Sequence, residues 1–484
     1  MKLNKKIAVA AAVGALGMAA VPAMALENEF SGIYNLGFFM SNYDNAGTAA
    51  LSPKAMYNTN KTGNYFEQRA RIKYTAKASD DLKLVTHFEI NSTFGGSGAL
   101  KTSVSTNSTG SNSGQLDADS INLQTKNVYL DFNVGKNVNV KAGIQTVSDK
   151  FKGILYSVTD MAGVNVTTKM GALDLNTAYF RVGTKPLGVG TATYNNNNTE
   201  GWNNFDIAVL DAQYNINKNA KVGAAYYLIS DNTSTGAAPT ATQVMVNTFG
   251  AYGSAKVGAA TLSGFVAAQY GHETASTALR SSKSGYAANM AARVPVGPGT
   301  LKANYLFRSG DDNRDRVDTS WYSLQHTGNN TATGSTVGSL SQYNEAGMMI
   351  LVRNLTTNAT NSGRFLAQNV GDINGVGGHI MSVGYDATIT PKAFASVNAG
   401  MLFAHHNQST TAAGTYSTNK GNGTNLMATE INTEIGYKLY PNMTASVQAA
   451  YAFLGGYYNG CNSATAGKNA ENPYTGRIML KYAF

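Results

Sequence analysis

Apolar side chains recur at every second position in segments of about ten residues, and this spacing constrains the fold more than any other feature. In the segment from residue 66, the apolar positions are Phe66, Ala70, Ile72 and Tyr74, whereas the positions between them are Glu67, Arg69, Arg71 and Lys73. Successive side chains of a β-strand point to opposite faces, so each such strand has one apolar and one polar face. The spacing of an amphipathic helix is absent from these segments.

The alternating segments occur in pairs that are joined by a few turn residues. Such pairs cover residues 66–90, 128–144, 208–228, 381–403 and 431–453. Longer polar stretches rich in Gly, Ser, Thr and Asn separate the pairs. This rhythm predicts hairpins with short turns at one end and long loops at the other.

Eighteen strands can be counted in this way, and sixteen is the alternative. The count treats residues 310–377 as one long external loop or insertion, although residues 346–355 within it could be a further wall strand or a loop folded inward. The predicted fold is all-β, a transmembrane antiparallel up-and-down β-barrel.

The first 25 residues predict a cleaved signal peptide. Lys2, Lys5 and Lys6 precede an apolar stretch, and Ala23-Met24-Ala25 provides small residues around the cleavage site. Beyond residue 25 no window reaches the ~18 consecutive apolar residues that a membrane helix needs. The mature part, 26–484, is therefore predicted either to be soluble or to cross a membrane with closed strands, and the alternation favours the second.

The composition excludes several functions. Charged residues make up 13% of the chain, and long basic runs are missing, so we expect no nucleic-acid partner. One cysteine cannot form a multi-cysteine metal or haem site. No catalytic motif is recognisable, so we expect neither an enzyme nor a bound cofactor or metal. The adjacent His405 and His406 are interpreted as exposed polar residues rather than metal ligands.

The C-terminal residues carry a family resemblance. Gly476, Ile478, Leu480, Tyr482 and Phe484 alternate with more polar residues, and the chain ends on an aromatic residue. This tail resembles the terminal strand of bacterial outer-membrane porins. The resemblance implies a Gram-negative outer-membrane channel for passive diffusion of small hydrophilic solutes and ions, in contact with membrane lipid and lipopolysaccharide. It also implies a homotrimer.

Two sets of charged residues are candidates for the channel. The resemblance implies that the third loop, here 147–163, folds inward as a constriction, with Asp149, Lys150, Lys152 and Asp160 as its charges. An ordinary surface loop is the alternative. Pore-lining positions are predicted for Glu67, Arg69, Arg71, Lys73, Arg477 and Lys481. The five basic residues would form a wall that faces Asp149 and Asp160 and biases ion passage, or they would be ordinary solvated charges.

Other functions of a barrel remain open at this point. The long loops, chiefly 309–377, could make the chain an adhesin or a receptor. The barrel could also be a scaffold for an outer-membrane electron-transfer complex, with haem carried by a partner. An outer-membrane enzyme would need a nucleophile and a base at the barrel rim, and no such motif is recognisable.

Overall fold

The computed structural model describes most of the chain after residue 26, and the statements below concern these residues. The described ranges are 27–42, 62–94, 96–97, 112–113, 123–184, 204–232, 243–274, 280–311, 317–324, 340, 343–352, 366–367, 377–406, 424–458 and 471–484. The predicted signal peptide and Cys461 lie outside them. Within these ranges, no helix is long and apolar enough to cross a bilayer.

Eighteen long strands in the described residues form one sheet. They are β1 (Glu27–Ser41), β2 (Gly63–Ser79), β3 (Leu82–Thr93), β4 (Gln124–Asn133), β5 (Val138–Val147), β6 (Thr159–Met170), β7 (Leu173–Thr184), β8 (Asn204–Asn217), β9 (Ala220–Asp231), β10 (Gln243–Val257), β11 (Ala260–Thr274), β12 (Tyr286–Val296), β13 (Gly299–Arg308), β14 (Gly378–Thr388), β15 (Ala393–Ala404), β16 (Leu426–Tyr440), β17 (Met443–Leu454) and β18 (Tyr474–Ala483). The shorter pieces are the strands Gly96–Ser97, Asn112–Ser113, Arg280–Lys283 and Val317–Asp318, and the 3₁₀ turns Asn344–Ala346 and Gly456–Tyr458.

The sheet closes on itself, because β1 pairs in antiparallel register with both β2 and β18. Asn35 in the middle of β1 lies opposite Arg69 on one side and Lys481 on the other. The last residue completes the seam, since Gly32 and Phe484 exchange backbone hydrogen bonds of 2.8 and 3.0 Å. The 18-stranded antiparallel barrel predicted from the sequence is confirmed, and the 16-stranded alternative is not.

The alternation of side chains becomes an inside and an outside. On β16, Ile431 and Ile435 point outward and are 54% and 61% exposed, whereas Glu430, the residue before Ile431, points inward and is fully buried. Exposed apolar residues recur on the same outer face of the other strands, for example Met290 and Val266. An apolar belt of this kind is stable in contact with lipid, where the closed sheet also satisfies the backbone hydrogen bonds.

Closure of the barrel depends on the absence of a side chain at Gly32. A Cβ atom at this position would lie 2.3 Å from the carbonyl oxygen of Arg71 and 2.5 Å from the ring of Phe484. We expect Gly32→Ala to lower the free energy of unfolding by about 1–3 kcal/mol, the usual cost of overpacking. Urea unfolding in detergent, read by the mobility of unheated protein in SDS gels, measures this loss.

The matched control is Gly476→Ala on β18, where the nearest atom to an added Cβ is 3.6 Å away at the Met40 side chain. This variant should unfold like the parent protein. Equal stability of the two variants would contradict the role given to Gly32 at the seam.

Candidate functional site

The third long connection, residues 148–158, lies inside the barrel. Phe151, Ile154 and Leu155 are fully buried. The Phe151 ring packs at centroid distances of 5.5 Å against Tyr227 on β9 and 5.3 Å against Phe265 on β11, both on the inner face of the wall. The connection therefore occupies part of the lumen. That it limits the passage of ions stays a prediction.

The buried carboxylate of Asp149 organises this connection. Its Oδ1 accepts the backbone N–H groups of Phe151 and Gly153 at 2.6 and 2.9 Å, and its Oδ2 accepts those of Leu155 and Tyr156 at 2.6 and 2.7 Å. Burial raises the pKa of Asp149 to about 6, although the four N–H donors act in the opposite direction. Asp149 was predicted as a charge facing the basic wall, but its oxygens are engaged with its own loop.

The two lysines of the connection form ion pairs with different partners. Lys150 Nζ lies 3.1 Å from the carboxylate of Asp211 on β8 and 5.6 Å from the ring centroid of Tyr252. Lys152 Nζ lies 2.5 Å from Oε1 of Glu345, which belongs to the connection between β13 and β14. Lys152 has a positive φ of 63°, a strained conformation for a residue other than glycine. The amine reaches the connection between β13 and β14, so the ion pair joins the two inserted connections.

Asp160 lies outside the third connection. The sequence placed it on the loop, but β6 begins at Thr159, so Asp160 is a wall residue in register with Thr146. Its carboxylate pairs with Lys126 and accepts a 2.9 Å hydrogen bond from Asn127 Nδ2. The loop boundary was therefore drawn too far along the chain, because a polar residue in a strand end resembles a loop residue.

A second part of the lumen is filled by the long connection between β13 and β14. Residues 346–352 form no strand in the described structure, and all of them except Gly347 are buried inside the barrel, so this part of the predicted insertion is a folded-in loop. Residues 317–324 of the same connection contact the third connection directly. Leu324 N–H donates to the Leu155 oxygen at 2.9 Å, and Trp321 Nε1–H donates to the Ile154 oxygen at 3.2 Å.

Glu430 on β16 holds the inserted segment 343–352 in place. Its fully buried carboxylate accepts the backbone N–H groups of Met349, Ile350 and Leu351 at 2.7, 3.0 and 2.8 Å. Asn432 Nδ2 donates to Glu430 Oε1 at 2.8 Å and to the Gly347 oxygen at 3.0 Å. Sequence reasoning missed this residue. The alternation of β16 placed it on the inner face, but nothing in the pattern identified its partners.

The predicted basic residues on β2 and β18 lie on the inner face near the seam. Because Asn35 is opposite both Arg69 and Lys481, these two residues stand at the same height, two strand spacings or about 10 Å apart. Glu89 on β3 lies between the arginines. Its Oε2 is 2.5 Å from Arg71 Nε and 3.5 Å from Arg69 Nε.

The predicted pore-lining residues differ in their access to the lumen. Glu67, Arg69 and Arg477 are only 3%, 5% and 3% exposed, whereas Lys73 is exposed and Arg71 and Lys481 are partly exposed. The guanidinium of Arg477 donates to the Met349 oxygen at 3.2 Å and lies 5.6 Å from the Phe39 ring centroid. Arg477 therefore contacts the inserted segment, and among the predicted basic residues only Arg71, Lys73 and Lys481 are accessible.

A closed 18-stranded barrel with an apolar exterior and a polar interior defines the chain as a transmembrane β-barrel channel. The sequence model for the Gram-negative porin matches residues 8–341, and the chain belongs to this family. It is an outer-membrane channel for the diffusion of small solutes. No curated protein sequence matches the chain.

Solved structures with a similar fold have little sequence in common with the chain. Pseudomonas aeruginosa OccK8 (OprE) is 9% identical, with a TM-score of 0.51 over 95% of this chain and 98% of its own. Pseudomonas aeruginosa OccK5 (OpdH) is 11% identical, with a TM-score of 0.50 over 95% and 98%. Acinetobacter baumannii OccAB1 is 10% identical, with a TM-score of 0.50 over 94% and 96%. At these identities the similarity concerns the fold alone.

The four hydrogen bonds to Asp149 predict the effect of an amide at this position. Asn has one acceptor oxygen, and its NH₂ group would face N–H donors, so Asp149→Asn leaves at least two buried N–H groups without an acceptor. Each costs about 1–3 kcal/mol. We expect the third connection to lose its fixed conformation. Single-channel recordings at pH 7.5, where the parent carboxylate is ionised, should show noisier currents.

The control is Asp80→Asn in the turn between β2 and β3, where the carboxylate is almost fully exposed and pairs with Lys77. Its recordings should match those of the parent channel. Quiet, unchanged currents in Asp149→Asn would mean that other contacts suffice to hold the connection.

Proposed function

We propose that the passage runs along one side of the lumen, beside β18 and the first strands of the barrel, and that it carries small hydrophilic solutes and ions with a preference for anions. The observation that carries this proposal is the one-sided packing of the inserted connections. Phe151 contacts the inner faces of β9 and β11, and Tyr343 OH accepts a 2.7 Å hydrogen bond from Asn289 on β12. Glu430 on β16 anchors the insertion that contains Tyr343.

Contacts between these two anchor points continue along the wall. Asn304 Nδ2 on β13 donates to the Glu345 oxygen at 3.1 Å, and Ser382 Oγ on β14 donates to the Ala346 oxygen at 2.8 Å. The inner faces from β9 to β16 thus support the insertions. Several inner-face side chains on the other side keep partial or full exposure, among them Asn35, Lys73 and Lys141. Water and solutes would pass there.

The charges beside this passage support the proposed anion preference. Lys73, Arg71 and Lys481 are accessible on β2 and β18, and Glu89 neutralises part of the arginine charge. Asp131 on the inner face of β4 is itself close to Lys83, with an Nζ–Oδ2 distance of 3.7 Å. Fixed charges in an aqueous passage with low-dielectric walls bias which ions enter. The excess of accessible basic groups favours anions weakly.

Family membership supports the remaining parts of the proposal. The chain would be exported with cleavage of residues 1–25, assemble as a homotrimer and contact lipopolysaccharide at its outer rim. A channel of this kind works without a cofactor and without catalysis. A barrel that served as an adhesin, a receptor or a scaffold would not require two connections packed into its lumen.

Reversal of the accessible basic charge tests the ion preference. We expect Arg71→Glu together with Lys73→Glu to lower the chloride-to-potassium permeability ratio on the order of threefold, since fixed charges generate potentials of a few kT in such clefts. The measurement is the reversal potential of the purified protein in a planar bilayer under a KCl gradient.

Lys392→Glu in the turn between β14 and β15 changes the net charge away from the passage and serves as the control. If the double variant and the control give the same reversal potential as the parent, the residues on β2 do not set ion preference. If the parent channel prefers cations, the proposed preference is wrong, although the protein would still be a channel.

Removal of the anchor on β16 tests the part played by the inserted segment. Glu430→Ala leaves three buried N–H groups without their charged acceptor, and hydrogen bonds to charged groups contribute roughly 1.5–3 kcal/mol each. We expect segment 343–352 to leave its site and the single-channel conductance to rise.

Glu434→Ala is the matched control, because Glu434 lies on the same inner face of β16 and accepts a hydrogen bond from Gln448 instead. It removes an equal charge without touching the anchor. A conductance that rises equally in both variants would indicate an effect of charge, and the anchoring role would be refuted.

A further inference from the structure

The two ends of the long connection between β13 and β14 meet at one point, which we call the neck and which comprises Gly310, Gly377, His405 and His406. Gly310 N–H donates to His405 Nδ1 at 3.0 Å, and His406 Nε2 lies 3.1 Å from the Gly310 oxygen, where it is the donor. His405 N–H donates to the Gly377 oxygen at 3.3 Å. Gly377 has a φ of 64°, and a Cβ there would lie 2.3 Å from Gly310 N.

Three imidazole rings are packed together at the neck. The ring centroids of His405 and His406 are 4.1 Å apart, and those of His405 and His379 on β14 are 5.6 Å apart. Phe307 on β13 packs against His379 and His405 at 4.6 and 5.1 Å. All three histidines are partly buried. The sequence interpretation of His405 and His406 as simply exposed polar residues is therefore wrong.

The titratable and charged groups around these rings are few in the described structure. Tyr305 OH from β13 lies 2.7 Å from His379 Nδ1. Asp311, the acid next to Gly310 in the chain, has its Oδ1 3.3 Å from both the N–H and the hydroxyl of Thr319. His405 thus has two other imidazoles as its nearest titratable neighbours, and protonation of more than one ring would place like charges side by side.

We propose that His405, with His379 and His406, is an acid-sensitive latch that fastens the neck when neutral and releases it when protonated. Nδ1 of His405 accepts the Gly310 N–H, and an imidazolium has no acceptor nitrogen. Addition of a proton at Nδ1 turns this contact into two N–H groups facing each other. The proton comes from the external medium, and no covalent bond changes.

The direction of the His405 pKa agrees with this arrangement. Burial, together with the neighbouring His406 and His379, lowers the pKa of His405 to about 4. A histidine pKa that is lower in the folded state than its ordinary value of about 6.5 contributes stability above that value. This contribution is lost as the pH falls from about 6.5 toward 4.

Residues 317–324 connect the neck to the inserted connections in the lumen, so release of the neck would loosen them as well. The backbone N–H of Trp321 donates to the Ser309 carbonyl oxygen at 3.1 Å, beside the neck. The indole N–H of the same residue donates to the Ile154 oxygen in the third connection. Trp321 is 3% exposed. Loosening at Gly310 therefore acts on a buried tryptophan that joins the two inserted connections.

Trp321 also provides the measurement, since the chain has only two tryptophans and Trp202→Phe leaves one. In this background we expect acidification from pH 7.5 to 4.5 to shift Trp321 emission to the red and to increase acrylamide quenching at least twofold, reversibly. Single-channel noise of the parent protein, with both tryptophans, should rise over the same range. His405→Asn keeps an acceptor oxygen but cannot be protonated there, and it should abolish both responses.

Two histidine variants serve as controls. His272→Asn on β11 and His87→Asn on the inner face of β3 remove histidines outside the neck, and both should retain the acid response. If His405→Asn responds to acid like the parent, the latch is refuted and the response comes from another group, such as Asp149. Unchanged fluorescence and noise in the parent over this range would also refute it. Neither outcome bears on the proposed ion preference, which is measured without acidification.

Discussion

The pairing of every backbone N–H and C=O group within the membrane is the constraint on which the rest of the structure depends. Lipid offers no hydrogen-bonding partner, so a sheet can cross it only when its first and last strands are joined. Here β1 meets that requirement by pairing with β18 along nine consecutive positions, from Ile33↔Ala483 to Ser41↔Thr475. The aromatic C-terminal residue lies against Gly32 at the end of this seam. Closure also fixes the alternation of apolar outer and polar inner side chains.

Eighteen strands enclose more space than the wall side chains can fill, and the inserted connections fill part of it. A loop inside a barrel has the same problem as a strand in lipid, because its backbone groups are withdrawn from water. Two buried carboxylates solve it in the same manner. Asp149 accepts four backbone N–H groups of its own loop, and Glu430 accepts three from the segment 343–352. Each acid is the centre around which an inserted segment folds.

The fold could be predicted from the sequence because its determinants are local. A two-residue period, short turns and an alternating tail are visible without knowledge of any distant contact, and they led to 18 strands and to closure. The contacts of the lumen are not local in this sense. Lys152 pairs with Glu345 across 193 positions, and Arg477 meets Met349 across 128. Alternation placed Arg477 on the inner face correctly, but it could not reveal that a loop would cover it.

The difference between local patterns and distant contacts also explains why the basic wall was only partly predictable. Spacing identifies which residues share a face, whereas the field in the passage depends on which charges remain uncompensated and in contact with water. Glu89, one strand away, lies between Arg69 and Arg71, and its position follows from the β2–β3 register, in which Arg71 is opposite Glu89. A paired and buried charge contributes little to the potential at the axis of the passage, because its partner cancels it at a distance of a few ångströms. A count of lumen charges therefore overestimates the field in the passage, and on this argument the exposed Lys73 contributes more to it than the buried, paired Arg69.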